Sequence, residues 1–117
     1  MYNHEEYIKQ NKRQGKGGWR LPTIQELLTL VDYTTHDPAS GIDINSGYYW
    51  SSTTFARNAA FAWAVAFNAG FSYYYGSLNI RYVRCVRDTQ DGLEWSEDAP
   101  AEMTWDEGME YAESLNV

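Results

Sequence analysis

Residues 103–116, MTWDEGMEYAESLN, have the form of a helix that opens a domain, although they lie near the end of this chain. Thr104 and Glu107 stand at capping-box spacing, and Trp105, Met109, Ala112 and Leu115 fall on one helical face. Residues 17–32, GGWRLPTIQELLTLVD, are what should follow such a helix, yet they lie near the other end. There Thr23 and Glu26 form a second capping box, followed by the stripe Ile24, Leu27, Leu28 and Val31. The order of the parts reads as rotated.

Between these stretches the hydrophobic period changes. Residues 32–47, DYTTHDPASGIDINSG, are dense in turn formers and read as a loop. Residues 48–53, YYWSST, are strand-like. In residues 60–68, AFAWAVAFN, the bulky Phe61, Trp63, Val65 and Phe67 alternate with Ala60, Ala62, Ala64 and Ala66, as in a strand covered on both sides. NAG and FSYYYG (68–76) suggest a hairpin, and IRYVRCVR (80–87) is a further strand. DTQDG (88–92) supplies a turn before the short, strand-like LEWS (93–96). Residues 1–16 hold a marginal helix capped by Asn3 and Glu6, because its inner face would be polar. The reading is α+β, one domain over residues 1–117, with a small twisted antiparallel sheet and two solid helices.

A chain of 117 residues with 10 Tyr, 5 Trp and 4 Phe suffices for one compact core. No apolar run approaches the roughly 20 residues needed to span a bilayer, and the N-terminus lacks the apolar core of a signal peptide, so a soluble chain without membrane insertion is expected; the compartment stays open. Cys85 is the single cysteine, which excludes an internal disulfide and a cysteine-based metal cluster. The net charge of −7 is unevenly spread: all nine Lys and Arg precede residue 88, beside six acids, whereas residues 88–117 carry ten acids and no Lys or Arg. Such a block is commonly a solvated extension, but LEWS and the Trp105 stripe are too apolar for one, and an ordered segment that docks by its apolar face is expected.

Four motifs, GGWRLPTIQELLTLVD, YYWSSTT, AWAVAFNAG and RYVRCVR, occur in this order over residues 17–87 and resemble the bacterial family typified by the C-terminal domain of the Legionella collagen-like adhesin. That family is similar in fold to C-type lectins and to formylglycine-generating enzymes. A strand of the type GLxW and a helix of the type TWxEAxxYAxxLN normally precede GGWRLP there; here DGLEWS and TWDEGMEYAESLN follow RCVR. The resemblance implies that the first and last strands lie side by side, so LEWS would pair with RYVRCVR and residues 91–117 would supply the first strand and helix. Three origins stay open: circular permutation, exchange of the tail between two chains in a homodimer, and the start of a further tandem repeat.

Candidate chemistry is sparse. An enzyme of the formylglycine-generating type would need a cysteine pair or a metal arrangement, and Cys85 reads as a buried strand residue. His4 and His36 are separated and in polar surroundings, so surface positions are expected. Asp32, Asp37, Asp43 and Asn45 offer oxygen ligands for calcium, but the EPN and WND motifs of calcium-binding C-type lectins are absent, and neither metal nor other cofactor is expected. The pairs Glu5/Glu6 and Asp106/Glu107 are helix-start acids. Trp19, Trp50 and Trp63 are expected in the core. No motif suggests nucleic acid.

Residues 68–82, NAGFSYYYGSLNIRY, have the composition of an adaptable binding surface, since Tyr offers a large amphipathic area at small entropic cost. In C-type-lectin-like relatives this stretch lies at the ligand-facing end of the sheet. Tyr73 and Tyr75 cannot share a strand face with Tyr74. Tyr73, Tyr74, Tyr75, Asn79 and Arg81, with Phe55, Arg57 and Asn58, are the expected ligand surface of a non-enzymatic module that takes a glycan or a protein surface. A structural subunit that oligomerises through the same Tyr-rich face is the alternative. The resemblance further implies sulfated polysaccharide, which a charge of −7 opposes unless Arg57, Arg81 and Arg84 form a local patch.

Overall fold

Thr23 and Thr104 start two helices by the same device. In the computed structural model, which describes residues 18–116, the Thr23 hydroxyl accepts from the Glu26 amide, and the Glu26 carboxylate accepts from the Thr23 amide at 2.9 Å. Thr104 and Glu107 repeat both bonds. These boxes satisfy amides that a helix start otherwise leaves unpaired. Helix α1 spans Ile24–Leu28 and helix α2 spans Trp105–Ser114. α1 is shorter than the apolar stripe predicts: beyond Thr29, turn bonds carry the chain to Val31, which bridges Ser40 and so joins the loop. The N-terminal helix expected around Asn3 and Glu6, with His4 and Glu5, lies outside the described residues.

Five strands follow the period-2 segments: β1 Tyr48–Phe55, β2 Asn58–Ala66, β3 Phe71–Gly76, β4 Arg84–Thr89 and β5 Gly92–Asp98. Among the described residues they make two antiparallel sheets, β1-β2-β3 and β4-β5, where one sheet was expected. The cause lies at residues 81–82. Tyr82 exchanges backbone bonds with Tyr48 and Trp50 in a parallel bridge to β1, while Arg81 exchanges bonds with Met103. The segment expected as one strand over 80–87 therefore crosses from the first sheet to the second and joins a ladder only from Arg84. The β4–β5 turn ends at Gly92, whose φ of 134° suits a residue without Cβ.

The alternation in β2 sorts the core onto the two faces of the larger sheet. Ala62 and Ala64 pack with Leu21, Trp50, Val83, Cys85, Trp105, Met109 and Ala112. Val65 and Phe67 point the other way and pack with Leu27, Ile44 and Tyr49. α2 therefore covers the alanine face and α1 the bulky face. The apolar face of the acidic segment docks as expected, but against Leu21 and the sheet rather than beside α1. Leu115, expected in the core, is 37% exposed. It caps the helix C-terminus, and the following Asn116 makes the tie instead, accepting from the Trp19 amide (2.6 Å) and donating to the Trp19 carbonyl (2.8 Å). LEWS pairs with the RCVR strand in the register Val86 opposite Trp95.

Candidate functional site

The end of the larger sheet, where the β1–β2 turn and the chain after β3 meet, carries most of the expected surface. Phe55 closes β1, Arg57 follows in the exposed turn, Asn58 opens β2 opposite Phe55, and the Asn79 side chain donates to the Gly76 carbonyl at the end of β3. Register fixes the faces: Trp63 is opposite Tyr74, whereas Ala62 and Ala64 are opposite Tyr75 and Tyr73. On the α1 side, beyond the reach of that short helix, the Tyr74 ring stacks on Phe55 (4.0 Å) and meets Phe61 and Trp63 at 5.9 and 5.6 Å. On the α2 side, Tyr75 lies 5.3 Å from Tyr48, and the Arg81 guanidinium is held over both rings, 5.0 Å from Tyr48 and 4.9 Å from Tyr75.

Tyr73 joins the two sides. Its ring is 51% exposed, lies parallel to Tyr74 at 4.6 Å and touches Tyr75 at 5.8 Å. The result is a continuous aromatic rim wrapped around the outer edge of β3, with the neighbouring Tyr73 phenol raising that of Tyr74 above its usual value. Trp63 and Trp19, expected as core, are only half-buried; Trp63 belongs to this rim and Trp19 lies under the Arg87 guanidinium at 4.7 Å. Trp50 alone of the three is fully buried, and its indole donates to the Met103 carbonyl. Sequence reading missed Phe61, Trp63 and Tyr48 as rim residues. Their strand alternation resembles that of core residues, and the shortness of α1 that uncovers Phe61 and Trp63 is a tertiary matter.

The arginines do not form the patch considered above. Arg84 pairs with Asp98 at 2.7 Å and donates to the Asp43 carbonyl, away from the rim. Arg20 pairs with Glu26, and Arg87 with Glu94. Among the described residues Arg57 and Arg81 make no ion pair, and the buried Nε of Arg81 has no hydrogen-bond partner. Burial pushes the Cys85 thiol up to about 12, so it stays protonated and unreactive inside β4. His36 is exposed. Asp32 accepts from the Thr34 amide and hydroxyl, and Asp43 and Asn45 stand apart from it by the second sheet. Among the described residues no group of three or more His, Cys, Asp and Glu is placed to hold a metal ion, and no helix is long and apolar enough to cross a membrane.

An α+β domain with an aromatic rim at a sheet edge is thus the class that fold and site define. The chain belongs to the family of the Lcl C-terminal domain, whose sequence profile matches residues 2–87. The match ends at Arg87, so β5 and α2 lie beyond it. No curated protein and no solved structure matches the chain significantly.

Proposed function

We propose that the chain is a non-enzymatic recognition module of C-type-lectin-like fold that binds a glycan through the aromatic rim of β3. The observation that carries this reading is Tyr73, half-exposed and stacked on Tyr74, which stacks in turn on Phe55. Rigid rings already packed against one another lose little entropy when a sugar face is laid on them, and Arg81 beside them is a cation without a carboxylate. Binding on a glycan array identifies a ligand. Tyr73→Ala should then weaken it by about 1–3 kcal/mol with an unchanged urea midpoint. If stability falls and affinity does not, the rim is not the site.

One observation favours a second reading, an assembly subunit. β3 is an edge strand without a charged side chain, and its outer backbone groups meet no partner strand among the described residues. A stable oligomer by light scattering that Tyr73→Ala dissociates would replace the glycan reading. A protein surface as ligand uses the same rim and the same variant.

The placement of β5 and α2 also belongs to this reading. We infer a circular permutation, supported by the pairing of β5 beside β4 across a short turn and by the bonds from Asn116 to Trp19, which set the end of α2 against the start of the GGWRLP motif. A monomeric mass in solution favours permutation over exchange of the segment between chains.

A further inference from the structure

A concavity lies where the 32–47 loop meets the β4–β5 sheet, away from the β3 rim. This solvent-open groove has a volume of about 620 Å³ and is lined by Asp43, Asn45, Arg84, Trp95, Glu97 and Asp98, among others. That volume falls within the range of small-molecule sites, about 300–1,000 Å³. Its floor is fixed. Asp98 accepts from Arg84 Nε (2.7 Å), from Asn45 Nδ2 (2.7 Å) and from the Tyr49 hydroxyl (2.6 Å). The Tyr49 phenol is pushed up, first by burial and then by that bond to Asp98, and so remains a donor. Arg84 is further held by the Asp43 carbonyl (3.0 Å). Asn45 and Arg84 are thereby oriented before any ligand arrives, which lowers the entropic cost of binding.

We propose that this groove binds a neutral saccharide unit of about one or two rings. The groups left over inside it set the chemistry. The Asp43 and Glu97 carboxylates are exposed and make no hydrogen bond or ion pair with the described residues, and among those residues the Asn45 amide oxygen has no donor. These acceptors suit a ligand rich in hydroxyl donors, and a carboxylate or amide can take two neighbouring hydroxyls at once. Arg84 retains N–H groups for hydroxyl oxygens, so the ligand must both donate and accept. The half-buried Trp95 supplies an apolar ring surface for the C–H face of a pyranose. Charge then selects among sugars. Asp98 neutralises Arg84, which leaves Asp43 and Glu97 to give the groove a negative potential that repels uronates and sulfated sugars. An isolated ammonium ligand would be drawn to the two carboxylates but carries no acceptor for the remaining Arg84 N–H groups.

The test is a titration of the 15N-labelled full chain with methyl α-mannoside, methyl β-galactoside and N-acetylglucosamine, each to about 10 mM, a range that captures millimolar affinity. The Trp95 indole resonance, assigned with Trp95→Phe, is the readout. A saturable shift with at least one sugar is expected, with affinity falling about tenfold or more in Asp43→Ala or Glu97→Ala, both exposed positions, and unchanged in Tyr73→Ala. The last comparison separates this groove from the rim, so either site can fail alone. The proposal is overturned if none of the three sugars gives a saturable shift, if the shift survives both carboxylate variants or is lost with Tyr73, or if galactose 6-sulfate or lysine methyl ester binds the groove more tightly than the neutral sugars.

Discussion

Replacing Trp105 by alanine tests whether the C-terminal segment completes the core. Its indole is 7% exposed, packs with Trp50, Val83 and Met109, and donates to the carbonyl of the fully buried Ser51 at 2.9 Å. Removing a packed Trp costs about 3–5 kcal/mol, and leaving the Ser51 carbonyl without that donor adds about 1–3 kcal/mol. The expected loss of about 4–8 kcal/mol is comparable to the whole stability of a small domain, about 5–15 kcal/mol. Urea unfolding followed by circular dichroism measures it, with Trp105→Phe as the intermediate case that keeps a smaller aromatic ring but loses the donor and part of the packed volume; it should cost less than Trp105→Ala. Truncation after Asp88 should unfold the chain altogether, since it also removes Met109 and Ala112. A loss below about 1 kcal/mol in Trp105→Ala, the range of ordinary surface changes, would refute the docking of α2. A midpoint that rises with protein concentration would place the helix in a partner's core instead of its own.

Gly108→Ala sets helix propensity against packing. The change favours the helix by about 1 kcal/mol, but the new Cβ would stand 2.9 Å from Val83 Cγ2 in the core, an overpacking worth about 1–3 kcal/mol. A lower urea midpoint is expected, and a higher one would mean that α2 sits further from Val83. Asn116→Ala removes both bonds to Trp19 and should cost about 1–3 kcal/mol by the same assay. Glu26 gives a pH dependence. Burial opposes its ionisation, but the hydrogen bond from Arg20 and those from Thr23 outweigh it and hold its pKa below the ordinary 4.5. Its contribution is therefore present above that value and lost as pH falls through the lower folded value. Relative to Glu26→Gln, which can keep the cap bond to Thr23, the parent should lose extra stability between about pH 5 and pH 2. Parallel urea midpoints for the two proteins across that range would show that the Arg20 pair adds nothing.

Much of this was legible in the residue order because its causes are local. A capping box needs residues three apart, so Thr23/Glu26 and Thr104/Glu107 announced both helices. A pleated strand has a period of two, so the alternation of Ala62, Ala64 and Ala66 with bulky neighbours announced β2 and the two faces that its later residues bury, and placed Tyr73 and Tyr75 opposite to Tyr74. Composition marked the Tyr-rich rim, and apolar spacing within an acidic tail marked α2 as a docking element.

The tertiary structure decided what depends on contacts between distant residues. Only there does α2 take the alanine face of the sheet while α1 takes the other, which leaves Phe61 and Trp63 uncovered for the rim and Leu115 outside the core. Only there does Asp98 meet Tyr49 and Asn45, 49 and 53 residues away, to shape a groove that no local period announces. The bonds from Asn116 to Trp19 span 97 residues. Local geometry sets which faces an element presents, but loop closure and competition for a shared apolar surface decide what each face meets.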